Sequence, residues 1–122
     1  MTKKVPLDEK DASTQEEHTI PLDEKEFQAL SSLSGKEVRK IRYFYDSEGM
    51  RAEFDVFKDD LNGLVLVDFE FTDEKQKESF VMPDFCLADI TQEDFIAGGM
   101  ICGKKYEDIL HELKRFGYKK IE

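Results

Sequence analysis

Charged side chains recur at two-residue intervals in three short segments between residues 40 and 70. They are the pairs Lys40 and Arg42, Glu53 and Asp55, and Asp68 and Glu70. Because side chains alternate across a β-strand, the members of each pair share a face if the segment is extended. Lysine and arginine neutralise phosphoryl oxygens, and neighbouring carboxylates bind hard divalent cations such as Mg²⁺. The six residues therefore indicate a surface that could hold a polyphosphate together with a metal ion.

The alternative interpretation of these charges is a solvated sheet face without a function. Cross-strand ion pairs on such a face contribute only about 0.2–1 kcal/mol each. The segregation of the charges by type favours a site, because both cations lie on the first segment and the carboxylates lie on the other two.

The residues between the charged positions predict the strands that would carry them. Phe54 and Val56 alternate with the charges of the second segment, as Val67 and Phe69 do in the third. Turn-forming residues separate the segments at 46–49 and 59–63. We expect strands at about 37–45, 50–57 and 64–71, joined by hairpins into an antiparallel sheet with one charged face and one apolar face.

Helices are predicted before and after these strands in the sequence. A capping box of Asp23 and Glu26 begins a helix that we expect to end near Ser34, with Gly35 as a left-handed stop. A short helix is expected after Thr72. The last helix is predicted at about 104–116, ends before Gly117 and carries an apolar stripe that requires a partner, most simply the apolar face of the sheet.

The predicted fold class is α+β, with an antiparallel sheet of about four strands and helices on its apolar face. The fourth strand is expected at 14–20. Residues 1–13 are rich in charge and poor in apolar side chains, so we expect a flexible arm there and a single domain over 14–122.

Composition limits the partners and the compartment. The chain of 122 residues has a formal net charge of −10, which disfavours nucleic acid as a partner. No apolar run approaches the roughly 18 residues of a transmembrane helix, and the N-terminus lacks the apolar region of a secretory signal, so no membrane partner is expected. The two cysteines are too few for a disulfide scaffold. We expect a soluble cytoplasmic protein with reduced thiols.

The charged segments and their surroundings resemble a known family. The similar segments are Lys40-Ile41-Arg42-Tyr43, Glu53-x-Asp55-x-Phe57, the run from Leu61 to Phe71, Pro83-Asp84-Phe85, and Asp89-Ile90-Thr91. Together they are similar to the second half of the CYTH domain, also called the triphosphate tunnel metalloenzymes. That family includes inorganic triphosphatases, thiamine triphosphatase and class IV adenylate cyclases. The resemblance covers roughly residues 14–103.

The resemblance implies half of an antiparallel barrel whose charged inner face holds a triphosphate. The resemblance also implies that Lys40 and Arg42 bind phosphates. The ligands of Mg²⁺ or Mn²⁺ would come from the carboxylates of the same tunnel, namely Asp68, Glu70, Glu53 and Asp55. A half-barrel has open sheet edges, and through these edges two copies of the chain could form a homodimer.

The chain also departs from the family pattern. The Glu-x-Glu-x-Lys strand that begins the family's domain is absent, and Phe85 stands where the family has tryptophan. We therefore assign no catalytic residue and carry two hypotheses. The first is a CYTH-like domain that binds triphosphate or polyphosphate and hydrolyses it, with a metal, if a second chain completes the tunnel. The second is a non-catalytic CYTH remnant that binds a nucleotide, polyphosphate or protein.

Overall fold

The structure is a computed structural model that describes all 122 residues. Five strands and four helices follow one another, with two short 3-10 turns at Asp59–Leu61 and Asp94–Ile96. They are β1 Thr2–Asp8, β2 Asp11–Thr19, α1 Glu24–Ser31, β3 Lys40–Ser47, β4 Met50–Phe57, β5 Val65–Glu70, α2 Glu74–Glu78, α3 Gly98–Ile101 and α4 Tyr106–Arg115. The predicted α+β class with antiparallel sheets is confirmed.

The chain forms two compact units. One contains residues 1–36 and 90–94, and the other contains residues 37–89 and 95–122. The strands are divided between them, because β1 pairs only with β2, whereas β3, β4 and β5 form a second sheet in that order. The expected sheet of about four strands is thus replaced by sheets of two and three strands.

The first unit is built on the β1–β2 hairpin. The strand expected at 14–20 is β2, and it pairs antiparallel with β1, from Thr2 opposite Thr19 to Asp8 opposite Asp11. Strand β1 lies within the segment for which the composition predicts a flexible arm, and every one of its residues is exposed. The pairing was not predicted because a strand without a buried face has no hydrophobic alternation to reveal it.

Helix α1 belongs to the same unit and begins as the sequence predicts. The Asp23 side chain accepts a hydrogen bond from the Glu26 amide at 2.8 Å, and the Glu26 carboxylate accepts from the Asp23 amide at 2.9 Å. The helix ends at Ser31, because the hydroxyls of Ser31 and Ser32 donate to carbonyls of its last turn. The expected stop at Gly35 was wrong, since that glycine does not adopt a positive φ.

The second unit contains the three-stranded sheet and the hydrophobic core. Strands β3 and β4 are joined by the two-residue turn Glu48-Gly49, whose φ angles of 52° and 78° fit a type I′ hairpin. Strand β4 pairs with β5 through a longer turn that ends at Gly63, with φ 99°. Strand β4 has the bounds predicted for it, and it is the central strand of the sheet.

The core lies at one end of this sheet, against α4. It consists of Phe57, Leu61, Leu64, Ile101, Tyr106, Ile109 and Leu113. Phe57 pairs with Lys40 and therefore lies on the charged face. The expectation that α4 packs on the apolar face was thus wrong, because the charged face becomes apolar at this end and the helix packs there.

Aromatic residues from the segment after α2 cover the apolar face instead. The Phe80 ring lies 4.8 Å from Phe69 and 5.2 Å from Phe71, between ring centroids. The Phe85 ring lies 5.7 Å from Phe54. Helix α2 begins one residue later than expected, because Asp73, whose carboxylate accepts from the Gln76 amide, is its cap.

No helix in the chain is both long and apolar enough to cross a membrane. Cys86 and Cys102 are both free and partly buried, and burial raises the pKa of the Cys86 thiol.

Candidate functional site

The register of the sheet places all six charged residues on one face. Arg42 lies opposite Asp55, and Lys40 lies opposite Phe57. On the other side of β4, Glu53 pairs with Asp68, and Glu70 pairs with Arg51. Because directly opposed residues share a face, the alternation carries all six charges to the same side of the sheet. We call this surface the charged face.

Arg42 is the centre of the charged face. Its Nε and Nη2 donate to the two carboxylate oxygens of Asp55 at 2.6 and 2.7 Å, which is the bidentate geometry of a strong pair. Its Nη1 forms a salt bridge with Glu53, and its Nη2 lies 3.4 Å from Asp68. One guanidinium on β3 thus contacts carboxylates on both other strands, and these contacts raise the pKa of Arg42 above its ordinary value.

Lys40 is the second cation beside Asp55. Its ammonium donates to the Asp55 carboxylate, and the Lys40 side chain remains 39% exposed. An ammonium group has three donors, and this salt bridge uses one of them. Lys40 therefore keeps hydrogen-bonding capacity that faces solvent.

Asp55 and Glu53 are the buried carboxylates of the face, with 2% and 7% of their surface exposed. Burial alone would raise the pKa of Asp55, but hydrogen bonds from Arg42 and Lys40 outweigh it and lower that pKa. Burial raises the pKa of Glu53, and the charges of Glu70 and Asp68 add to the rise against the attraction of Arg42. Burial thus acts in the same direction on both carboxylates, but the net pKa shifts are opposite, because only Asp55 has hydrogen bonds that outweigh it.

Asp68 and Glu70 lie at the exposed side of the face, on β5. The Asp68 side chain is 65% exposed and reaches Arg42 only through the 3.4 Å contact. Glu70 is also exposed and lies opposite Arg51. These two carboxylates are therefore the ones that solvent and ligands can reach.

Comparison with known proteins finds a curated relative. The chain is similar to an inorganic triphosphatase of Nitrosomonas europaea, with 30% identity over 82 residues. The matched region is 66% of this chain and 54% of that enzyme, so the chain spans about half the length of the curated relative it matches. No family model and no solved structure matches the chain. The match is weak, and it supports at most a CYTH-like relationship.

The carboxylates of the face do not form a ready site for the metal that the resemblance implies. Both oxygens of Asp55 accept from Arg42, and Glu53 is paired with the same guanidinium. No group of three or more histidine, cysteine, aspartate or glutamate side chains in the chain could hold a metal ion. Asp55 and Glu53 are therefore already paired with Arg42, and the assignment of the four carboxylates as metal ligands stays a prediction.

Two members of the charged face, Arg51 and Asp46, were not predicted from the sequence. Arg51 pairs with Asp46 at 3.0 Å, and its guanidinium carbon lies 5.5 Å from the centre of the Phe44 ring. Both residues continue the two-residue alternation of the predicted pairs, since Asp46 follows Lys40 and Arg42 on β3 and Arg51 precedes Glu53 on β4. The same alternation could have identified them.

Proposed function

We propose that the charged face binds the triphosphate group of a small molecule or of inorganic polyphosphate, with Lys40 and Arg42 as its phosphate ligands. The observation that carries the proposal is the similarity to an inorganic triphosphatase in a chain whose sheet brings these two cations together around one carboxylate. Both cations are about one-third exposed, so a ligand can reach them without unfolding the sheet.

The contacts of the two cations suggest how a triphosphate would enter. The longest contact of Arg42 is with the exposed carboxylate of Asp68, so that carboxylate is the easiest to displace. The free donors of Lys40 would bind a second phosphate oxygen. Asp55 would stay in place, because it is buried and accepts hydrogen bonds from Arg42. It would thereby keep the charged groups of Lys40 and Arg42 close together. Asp55 is thus proposed as a positioning residue.

A thermal shift experiment tests this proposal. Because a ligand that binds only the folded state stabilises it by mass action, tripolyphosphate at 100 times its Kd should add about 2.7 kcal/mol and raise the Tm. The titration is run with and without Mg²⁺ or Mn²⁺. Lys40→Gln should remove most of the rise.

The matched control is Arg39→Gln, which removes the same charge from a residue whose partner is Asp59, outside the charged face. An unchanged Tm at millimolar tripolyphosphate would refute the proposal, as would an equal loss in the two variants.

Hydrolysis is a separate proposal, because the chain spans about half of the relative named for that activity. Phosphoryl transfer requires charge stabilisation around the transferred group from several directions. Lys40 and Arg42 come from one strand of a sheet that does not close into a barrel. We therefore expect little phosphate release by this chain alone, and a phosphate-release assay measures it.

A further inference from the structure

We propose that β3 pairs with β3 of a second copy of this chain, antiparallel about Tyr43, to form one continuous six-stranded sheet. This assembly does not depend on triphosphate binding. Strand β3 pairs with β4 on one side and with no strand on the other. An edge strand with free backbone groups is a template for another strand.

The free edge of β3 can be assigned residue by residue. The Lys58 amide donates to the Arg39 carbonyl at 2.9 Å, so Arg39 directs its backbone toward β4. Backbone direction alternates along a strand. The backbone groups of Lys40, Arg42, Phe44 and Asp46 therefore point to the free edge.

The opposite edge of the sheet is partly closed by the chain itself. The Tyr118 hydroxyl accepts from the Val65 amide and donates to the Gly63 carbonyl, each at 2.9 Å. The Ile121 amide also donates to that carbonyl. The C-terminal segment thus occupies the start of the β5 edge, and β3 is the edge available to a partner.

The side chains of β3 are unusually apolar for a free edge. Tyr43, Phe44 and Tyr45 are 55%, 61% and 56% exposed, and Ile41 is 43% exposed. These residues occupy both faces of the strand. Natural edge strands are protected by charge, proline or bulges. The charges of β3 lie at residues 40, 42 and 46, and the three residues between Arg42 and Asp46 are all aromatic.

The sequence of β3 is complementary to itself in one antiparallel register. With Tyr43 opposite Tyr43 of the second copy, Lys40 lies opposite Asp46 and Arg42 lies opposite Phe44. These pairs join a cation to an anion and a cation to an aromatic ring. On the other face, Ile41 lies opposite Tyr45, so every pair is apolar. This complementarity favours a second copy of the chain as the partner of β3. The pairing would also place both copies of Lys40 and Arg42 on one continuous charged face.

The first test is the mass of the natural chain, without phosphate, by sedimentation equilibrium over a concentration series. We expect a monomer–dimer equilibrium that reaches twice the mass of 14.2 kDa. Asp46→Lys places a cation opposite Lys40 and should raise the dissociation constant at least tenfold, as about 1.4 kcal/mol of repulsion would. A monomer at every concentration would overturn the proposal.

The second test locates the register by cross-linking. In a background of Cys86→Ala and Cys102→Ala, Tyr43→Cys should form a disulfide-linked dimer on mild oxidation, because the two positions face each other in a non-hydrogen-bonded pair about 4.5 Å apart. The matched control is Tyr45→Cys, on the same face and equally exposed, whose two copies would lie about 13 Å apart along the strands. Equal cross-linking of both variants, or cross-linking of Tyr45→Cys alone, would overturn the proposed pairing. Because no phosphate is present, these outcomes are independent of the triphosphate titration.

Discussion

Arg42 connects the three strands of the second sheet through a single side chain. It projects from β3, binds Asp55 and Glu53 on β4, and reaches Asp68 on β5. Its most buried partner is Asp55, whose side chain is 3% exposed, whereas the Arg42 side chain is 32% exposed. Such a carboxylate cannot lose its cations without being left charged and unsolvated, so the pair is structural as well as a candidate ligand site.

Asp55→Asn should destabilise the protein by about 2 kcal/mol. Breaking a buried ion pair from one side costs about 3–5 kcal/mol, and the partial exposure of Arg42 and Lys40 reduces this cost. Urea denaturation measures the change in the free energy of unfolding. Asp68→Asn, which removes an exposed partner of the same arginine, should cost less than about 1 kcal/mol. If the two variants lose the same free energy of unfolding, burial of the carboxylate does not decide how much it contributes to stability.

The dependence of stability on pH should differ in sign between the two buried carboxylates. The pKa of Asp55 is lowered in the folded state from 3.8, so its contribution is complete above that value and is lost as the pH falls through the folded pKa. The pKa of Glu53 is raised from 4.5, so its contribution is present below that value and is lost as the pH rises through the folded pKa.

Unfolding free energies measured between about pH 7 and pH 2.5 test these signs. The natural chain should be more stable than Asp55→Asn at neutral pH, and this difference in unfolding free energy should shrink below about pH 4. The unfolding free energy of the natural chain relative to that of Glu53→Gln should instead increase as the pH falls toward 4.5. Parallel pH profiles for the two variants would show that the carboxylates are not distinguished by their surroundings.

At the residue scale, sequence alternation predicted which charges share a face but not which of them are buried. The spacing of Glu53 and Asp55 is the same as that of Asp68 and Glu70. The first pair lies on β4, the central strand, and is buried, whereas the second pair lies on β5 and is exposed. Strand order is a property of the whole sheet, and a local pattern contains no information about it.

Among the elements, the C-terminal segment has a defined role at the edge of β5. The Tyr118 hydroxyl satisfies the Val65 amide and donates to the Gly63 carbonyl. Gly63 itself has φ 99°, and a Cβ there would lie 2.3 Å from Cγ of Lys120, so the segment passes directly over this glycine. A side chain at position 63 would therefore have to displace the Lys120 side chain.

Tyr118→Phe should lower the free energy of unfolding by about 1–2 kcal/mol, because it leaves a partly buried amide and a carbonyl without this partner. Chemical denaturation gives the value. Tyr45→Phe is the matched control, since that tyrosine is 56% exposed and its loss of a hydroxyl should change little. If Tyr118→Phe is as stable as the natural chain, the hydroxyl does not hold the edge.

Hairpins and helix caps were the elements that the sequence predicted best. Strand β4, the capping box of α1 and the stop of α4 at Gly117, with φ 71°, all depend on local residues and are found where expected. The surface on which α4 packs was predicted wrongly, because Phe57 and Leu66 place apolar side chains at one end of the charged face. A change of character along a single face is visible only when the strands are aligned.

Across the whole molecule, burial is unequally divided between the two units. All core residues belong to the unit of residues 37–89 and 95–122. Strand β1 and helix α1 of the other unit contain no buried residue, and the apolar side chains of α1, such as Phe27, are exposed. Local stability follows buried apolar contacts, so the two units should open with different free energies.

Hydrogen exchange of the intact chain should show this difference. Amides of β1, β2 and α1 are expected to exchange at least tenfold faster than those of β4 and α4, since opening the first unit exposes little apolar surface. Mass spectrometry of peptides after timed exchange measures the rates. Equal protection in the hairpin and in α4 would mean that the chain unfolds as one cooperative unit.

The carboxylate of Asp68 is an anion tethered beside Arg42, one of the two cations that are proposed to receive a ligand. A tethered group has a high effective concentration that no dilution reduces, so each incoming anion must compete with it for Arg42. An anion with one phosphate offers a single centre of charge in this competition, whereas a chain of phosphates can bind Lys40 and Arg42 at once and gains from each added contact. Under the proposed function, the exposed aspartate would thereby favour long phosphate chains over single phosphates.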